Sequence, residues 1–191
     1  MSKKYDVIYA DPPWAGGRGG RVFKGANDHY SVMSIEELEK LDIDSITSDD
    51  AILFIWTIGL FLLPNKNNKF KSVIDVIQSW GFDYTTIGFT WLKTNKDGTL
   101  FKGIGNYTKS NGEICIIARK GKYLQRDDKT VFQALLEPRT KHSQKPSCVR
   151  DRIQKMYGKN KNYLEMFARE STNNWDVFGD EVVNSIQIPI K

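Results

Sequence analysis

The 191-residue chain carries 28 Lys and Arg against 23 Asp and Glu, a net charge of +5, and 40% of its residues are hydrophobic. That is enough for one α/β domain with a substantial core, taken as residues 1–191, and no run of 18 apolar residues is present to span a membrane. Cys115, Cys148, His29 and His142 lack metal-ligand spacing, which argues against a zinc site and for reduced cytosolic thiols.

Met1 to Lys4 leads straight into a strand with no signal-peptide core, so a cytoplasmic location is expected. Tyr5 to Ala10 is β-rich, and Asp11-Pro12-Pro13-Trp14 follows it. Ala15 to Gly20 is glycine-rich, and Phe23 to Tyr30 is polar and aromatic without periodicity, a long loop of the kind that carries function. Ser34 and Glu37 form a capping box for a helix from Ile35 to about Leu41. Ala51 to Trp56 is a continuous apolar run, expected as a strand buried on both faces. Lys71 to Trp80 reads as a helix with Val73, Ile74, Val76, Ile77 and Trp80 inward, stopped by Gly81. Tyr84 to Leu92 and Glu113 to Ala118 are strands, joined by a long loop. Between Arg119 and Lys155 eleven Lys and Arg stand against four acids, a local +7 against −2 for the remainder. That bias suits a polyanion or a solvated face. Ser147 to Tyr157 is a helix ended by Gly158. Tyr163 to Arg169 and Trp175 to Phe178 are strands, and Gly179-Asp180-Glu181 follows. Strands alternating with helices predict an α/β fold with a mostly parallel sheet. Trp56, Trp80 and Trp91 are expected in the core. Arg169, at the end of an apolar strand, needs a ligand or an internal partner.

A residue before proline is held extended, so Asp11 projects in a fixed direction. The prolines have no N–H, and their carbonyls are expected to accept hydrogen bonds from outside the chain. A carboxylate beside a carbonyl is an acceptor-only site, and Trp14 offers a flat face. This suits the exocyclic amine of a nucleobase. Two acceptors would draw its hydrogens out of the ring plane and free the lone pair. The ionised carboxylate is the better acceptor, so no raised pKa is required of Asp11. The same four residues also suit a plain β-turn with a core tryptophan, and alone they leave both readings open.

The rest of the chain resembles the eukaryotic messenger-RNA adenosine methyltransferase (MT-A70) family and its bacterial and phage relatives. The blocks that carry the likeness are Asp11-Pro12-Pro13-Trp14, Tyr30 to Ser34, Leu53 to Thr57, Trp80-Gly81-Phe82, Trp91 to Thr94, Gly103 to Tyr107, His142 to Pro146, Glu165 to Arg169 and Trp175 to Gly179. The resemblance implies a Rossmann-like class I methyltransferase fold: a mostly parallel seven-stranded sheet with one antiparallel strand, and the catalytic block ahead of the cofactor block. It implies transfer of a methyl group from S-adenosylmethionine to the 6-amino group of adenine. Asp11, Pro12, Pro13 and Trp14 then form the catalytic turn. Lys145 meets the cofactor's carboxylate, and Phe167, Arg169, Asp180 and Glu181, with Asp11, complete the cofactor side. His29, Tyr30, Lys93, Asn106 and Tyr107 are the substrate-side candidates. The departures are Met166, Phe178 and Asp180, where the family has Leu, Trp and Asn. Larger relatives also meet the cofactor's adenine with a segment upstream of the catalytic strand, where this sequence starts.

The implied partner is nucleic acid, DNA favoured over RNA, with the adenine flipped out or single-stranded and the basic segment on phosphates. No metal and no membrane are implied. If phage-encoded, the location is the bacterial host cytoplasm. With no appended recognition domain, loose specificity, a homodimer and a partner subunit all stay open. Two alternatives remain at this point: a catalytically silent nucleic-acid-binding scaffold or partner subunit of the family, and methylation of cytosine at N4, whose acceptor turn carries Ser and Tyr rather than Asp and Trp.

Overall fold

The computed structural model describes residues 3–15, 32–105, 107–140 and 144–191. Seven strands form one sheet: β1 (Tyr5–Ala10), β2 (Thr47–Thr57), β3 (Asp83–Thr94), β4 (Gly112–Lys120), β5 (Ala134–Pro138), β6 (Tyr163–Met166) and β7 (Asp176–Phe178). Their order is β5-β3-β4-β2-β1-β6-β7. Strand β4 runs antiparallel to both of its neighbours, β2 and β3, and every other pairing is parallel. This is the mostly parallel sheet that the alternation of strands and helices predicts, with the one reversed strand that the family resemblance implies.

Helices cover both faces, so the central strands are apolar on both sides. On one face α1 (Ile35–Glu39) and α3 (Val73–Ser79) pack Leu38, Val73, Val76, Ile77 and Trp80 against Ile8, Leu53 and Ile55. On the other α4 (Cys148–Tyr157) packs Val149, Ile153 and Tyr157 against Val7, Phe54 and Trp56. Successive residues of β1 and β2 thus alternate between two cores, as the period of a strand requires.

The helix starts are locally encoded. Ser34 accepts from the Glu37 N–H, and the Glu37 carboxylate accepts from the Ser34 N–H, closing the expected capping box. Ser72 and Asp75 do the same for α3, and Gly81 follows it at φ +83°. A short α2 (Gly59–Leu62) turns the chain after β2. Two expectations are corrected. Strand β5 lies inside the basic segment, which shows no strand pattern because only Leu135 of its five residues is fully buried. Strand β6 ends at Met166 rather than Arg169, since Phe167 takes a left-handed conformation at φ +62° and turns the chain out of the sheet.

Candidate active site

The chain runs from β1 to β2 on one side of the sheet's middle, and β6 joins β1 on the other side. Between β1 and β6 the connections diverge, and a crevice opens at the strands' carboxyl ends. A cavity of about 300 Å³ lies there. Asp11 to Trp14 form one wall, Phe167 to Arg169 and Phe178 to Glu181 another, and Trp56, Glu113 and Lys145 the floor. The catalytic-turn and cofactor-side candidates therefore meet in one cavity.

Asp11 leaves β1 with its N–H on the Met166 carbonyl at 3.4 Å, which ties the candidate catalytic turn to the end of β6. The turn is less open than the sequence predicts. The Trp14 N–H donates to the Pro12 carbonyl at 2.9 Å, and the Met33 N–H donates to the Pro13 carbonyl at 2.8 Å. Each carbonyl has two lone pairs, so one acceptor position on Pro12 stays available to a ligand. Trp14 is anchored as well. Its indole N–H donates to the Trp56 carbonyl at 3.0 Å, and its ring stacks on Phe61 at 5.2 Å. One face of Trp14 is thereby committed to the protein.

Lys145, whose side chain is 10% exposed, puts Nζ 2.6 Å from Asp11 Oδ1 and 3.2 Å from Glu113 Oε2. Lys93 pairs with the other oxygen of Glu113. The result is an alternating row, Asp11, Lys145, Glu113, Lys93, along the strand ends. Burial pushes the Asp11 carboxyl above its ordinary value, although the adjacent Lys145 ammonium pulls the other way. Burial would also raise Glu113, but the Lys145 and Lys93 ammoniums outweigh it and hold that carboxyl low. Burial disfavours the Lys145 ammonium, yet its two carboxylates raise its pKa and keep it charged. The Lys145 ammonium also lies 5.6 Å from the centroid of the Trp56 ring. Trp56 is thus both core, as expected, and part of the site.

Glu113 went unnoticed in the sequence. The available signal is its place at the start of an apolar strand that runs antiparallel to its neighbours. Only such a strand brings its first residues to the edge where the other strands end. Lys93, expected on the substrate side, instead sits on Glu113 and over the Trp91 ring at 4.9 Å. Arg169 lines the cavity with Nε 3.7 Å from Glu181 Oε1, so two cofactor-side candidates face each other. Asp180 and Glu181 lie exposed at the rim. Tyr107 is fully exposed and does not line the cavity. His29, Tyr30, Asn106 and His142 lie outside the described residues.

The basic segment is also more committed than its charge suggests. Seven of its ten described cations are engaged within the chain: Lys120 with Asp44, Arg126 with Tyr123, Arg139 over Phe101, Arg152 with the Phe132 and Ala134 carbonyls, Lys155 with Asp128, Lys145 with Asp11 and Arg150 with Glu165.

The chain is similar to known proteins over most of its length. Type II methyltransferase M.MunI of Mycoplasma sp is 38% identical over 98% of this chain and 82% of its own length. N6-methyladenosine RNA methyltransferase MTA1 of Cryphonectria parasitica is 26% identical over 94% of this chain, which spans about half (52%) of that protein. N(6)-adenine-specific methyltransferase METTL4 of Homo sapiens is 25% identical over 95% of this chain and 38% of its own length. The MT-A70 family model matches residues 5–181, from the first residue of β1 to the Glu181 rim of the cavity, and the chain belongs to the MT-A70 methyltransferase family.

Proposed function

We propose that residues 1–191 act as one methyltransferase domain that uses S-adenosylmethionine to methylate the 6-amino group of adenine in nucleic acid, with DNA favoured over RNA. The observation that carries this reading is the meeting of the Asp11-Pro12-Pro13-Trp14 turn with Lys145, Arg169, Asp180 and Glu181 around one cavity.

The chemistry of the residues fits the cofactor. Lys145 and Arg169 supply cations for its carboxylate, Asp180 and Glu181 supply acceptors for ribose hydroxyls, and the cavity falls within the volume range of small-molecule sites. Bound there, the cofactor supplies an electrophilic methyl group. The chain's own contribution is placement and electrostatics. The ionised Asp11 carboxylate and the remaining Pro12 lone pair accept the two N–H groups of the amine. The anchored Trp14 fixes the plane in which an aromatic ring can lie. Lys145 opposes the burial that raises the Asp11 carboxyl and so favours its ionised form. A flipped-out or single-stranded adenine is the form that can enter a cavity of this kind.

The preference for DNA rests on the stronger match to the relative named a Type II methyltransferase, 38% against 26% for the one named an RNA methyltransferase. Incubation with methyl-labelled cofactor and separate DNA and RNA polymers, followed by mass spectrometry of the released nucleosides, tests the reading. The expected product is 6-methyladenine, more from DNA than from RNA. Label appearing as 4-methylcytosine, or on neither polymer, would defeat it.

A further inference from the structure

Behind the cavity wall lies a second, small recess bordered by Gln144, Arg150, Glu165 and Glu170, which shares Asp11, Lys145, Phe167 and Arg169 with the main cavity. Arg150 is its centre. It projects from α4 with a side chain only 10% exposed. Its Nη1 donates to both oxygens of Glu165, at 3.0 and 3.3 Å, and its Nη2 donates to Glu170. Glu165 belongs to β6 and Glu170 directly follows Arg169. The two carboxylates bracket Phe167, which holds φ +62°.

A side chain with Cβ pays about 1–3 kcal/mol in that region, and persists there only where its surroundings impose it. Inside the turn, the Ala168 N–H reaches the Phe178 carbonyl at 3.0 Å. Gly179 lies so close that a Cβ on it would come within 2.2 Å of the Ala168 carbonyl oxygen. Arg150 adds a charged brace from behind. Burial pushes the Glu165 carboxyl up, and the Arg150 guanidinium opposes that and favours the ionised form. A buried ion pair is a poor source of stability compared with an apolar pair of the same size. Its two-point grip across a strained turn is better suited to holding geometry.

We propose that Arg150 is a positioning residue. By gripping Glu165 and Glu170 it fixes the Phe167–Arg169 turn, and with it the cofactor-facing wall of the cavity. The cofactor assignment rests on the function proposed above; the brace itself does not.

The test has two readouts. Backbone amide exchange over residues 167–170, measured without cofactor, should speed up by about tenfold or more in Arg150→Met. S-adenosylmethionine binding, measured by calorimetry, should weaken by a similar factor, while kcat at saturating cofactor stays within about twofold. Glu170→Gln removes the charge of the more exposed partner, 48% exposed, so it spares the core if Arg150→Met fails to fold. It should show the same changes at smaller size. Exchange over 167–170 unchanged in the folded variants would overturn the proposal, as would a fall in kcat with cofactor affinity unaltered. A wild-type protein that binds no S-adenosylmethionine would defeat the proposed function instead, and the exchange measurement would still decide the brace.

Discussion

Asp11 stands between opposing influences. Burial raises its pKa, the Lys145 ammonium at 2.6 Å lowers it, and Glu113 beyond the lysine raises it. Its ionised form is the one that can accept from an amine, so activity should rise with pH through an acid limb that lies above the ordinary aspartate value. Lys145→Met removes the stabilising cation and should move that limb to higher pH. Glu113→Gln removes a repelling charge and should move it lower. A kcat/KM profile against pH checks both directions, and shifts of the same sign in the two variants would contradict the assignment. Stability runs the opposite way for this group. A carboxyl whose folded-state pKa is raised contributes stability that is fully present below its unfolded value and lost as pH rises through its folded value. The site thus gains its acceptor in the range where Asp11 costs the fold most.

At the scale of elements, legibility followed burial and local chemistry. The α3 helix could be read because its apolar positions and Gly81 both point to it, and the structure adds a capping box of Ser72 and Asp75 at its start. Ser72 is itself buried and caps the Ile74 N–H at 3.2 Å. Ser72→Ala should therefore cost about 1–2 kcal/mol, measurable by urea denaturation, without altering cofactor affinity. Strand β5 could not be read the same way. Its inward residue, Leu135, stands alone, and its apolar neighbours Ala134 and Leu136 face solvent at the sheet edge, so no alternation marks the strand. The turn at Phe167 was equally hidden, because a left-handed phenylalanine violates local preference and is held only by tertiary contacts. Of the candidate site, the Asp11 to Trp14 turn could be singled out by its chemistry and Lys145, Arg169, Asp180 and Glu181 through family likeness, and all of them line one cavity. The pairing of Lys145 with Glu113 was not, since it depends on one strand running backwards between two others.

For the whole molecule, the sheet order decides where chemistry can occur. Reversal of the connections about β1 and β6 opens the crevice, and the single reversed strand delivers Glu113 to it. The charge of the molecule is less informative. With seven of the ten described cations from Arg119 to Lys155 already engaged inside the chain, few described cations of that segment remain for phosphates. The affinity for DNA should fall with salt on a shallow slope, no steeper than about −4 in log K against log salt. A titration across salt concentrations giving a much steeper line would show a phosphate-binding face built from other residues.

The most direct measurement compares wild type with Asp11→Asn for transfer of a labelled methyl group from S-adenosylmethionine to adenine-containing DNA. The substitution keeps the shape of the side chain and removes its charge. Wild type should form 6-methyladenine. At saturating cofactor the variant should lose transfer by about 10²-fold or more. Undiminished transfer by Asp11→Asn, or no 6-methyladenine from the wild type, would contradict the account.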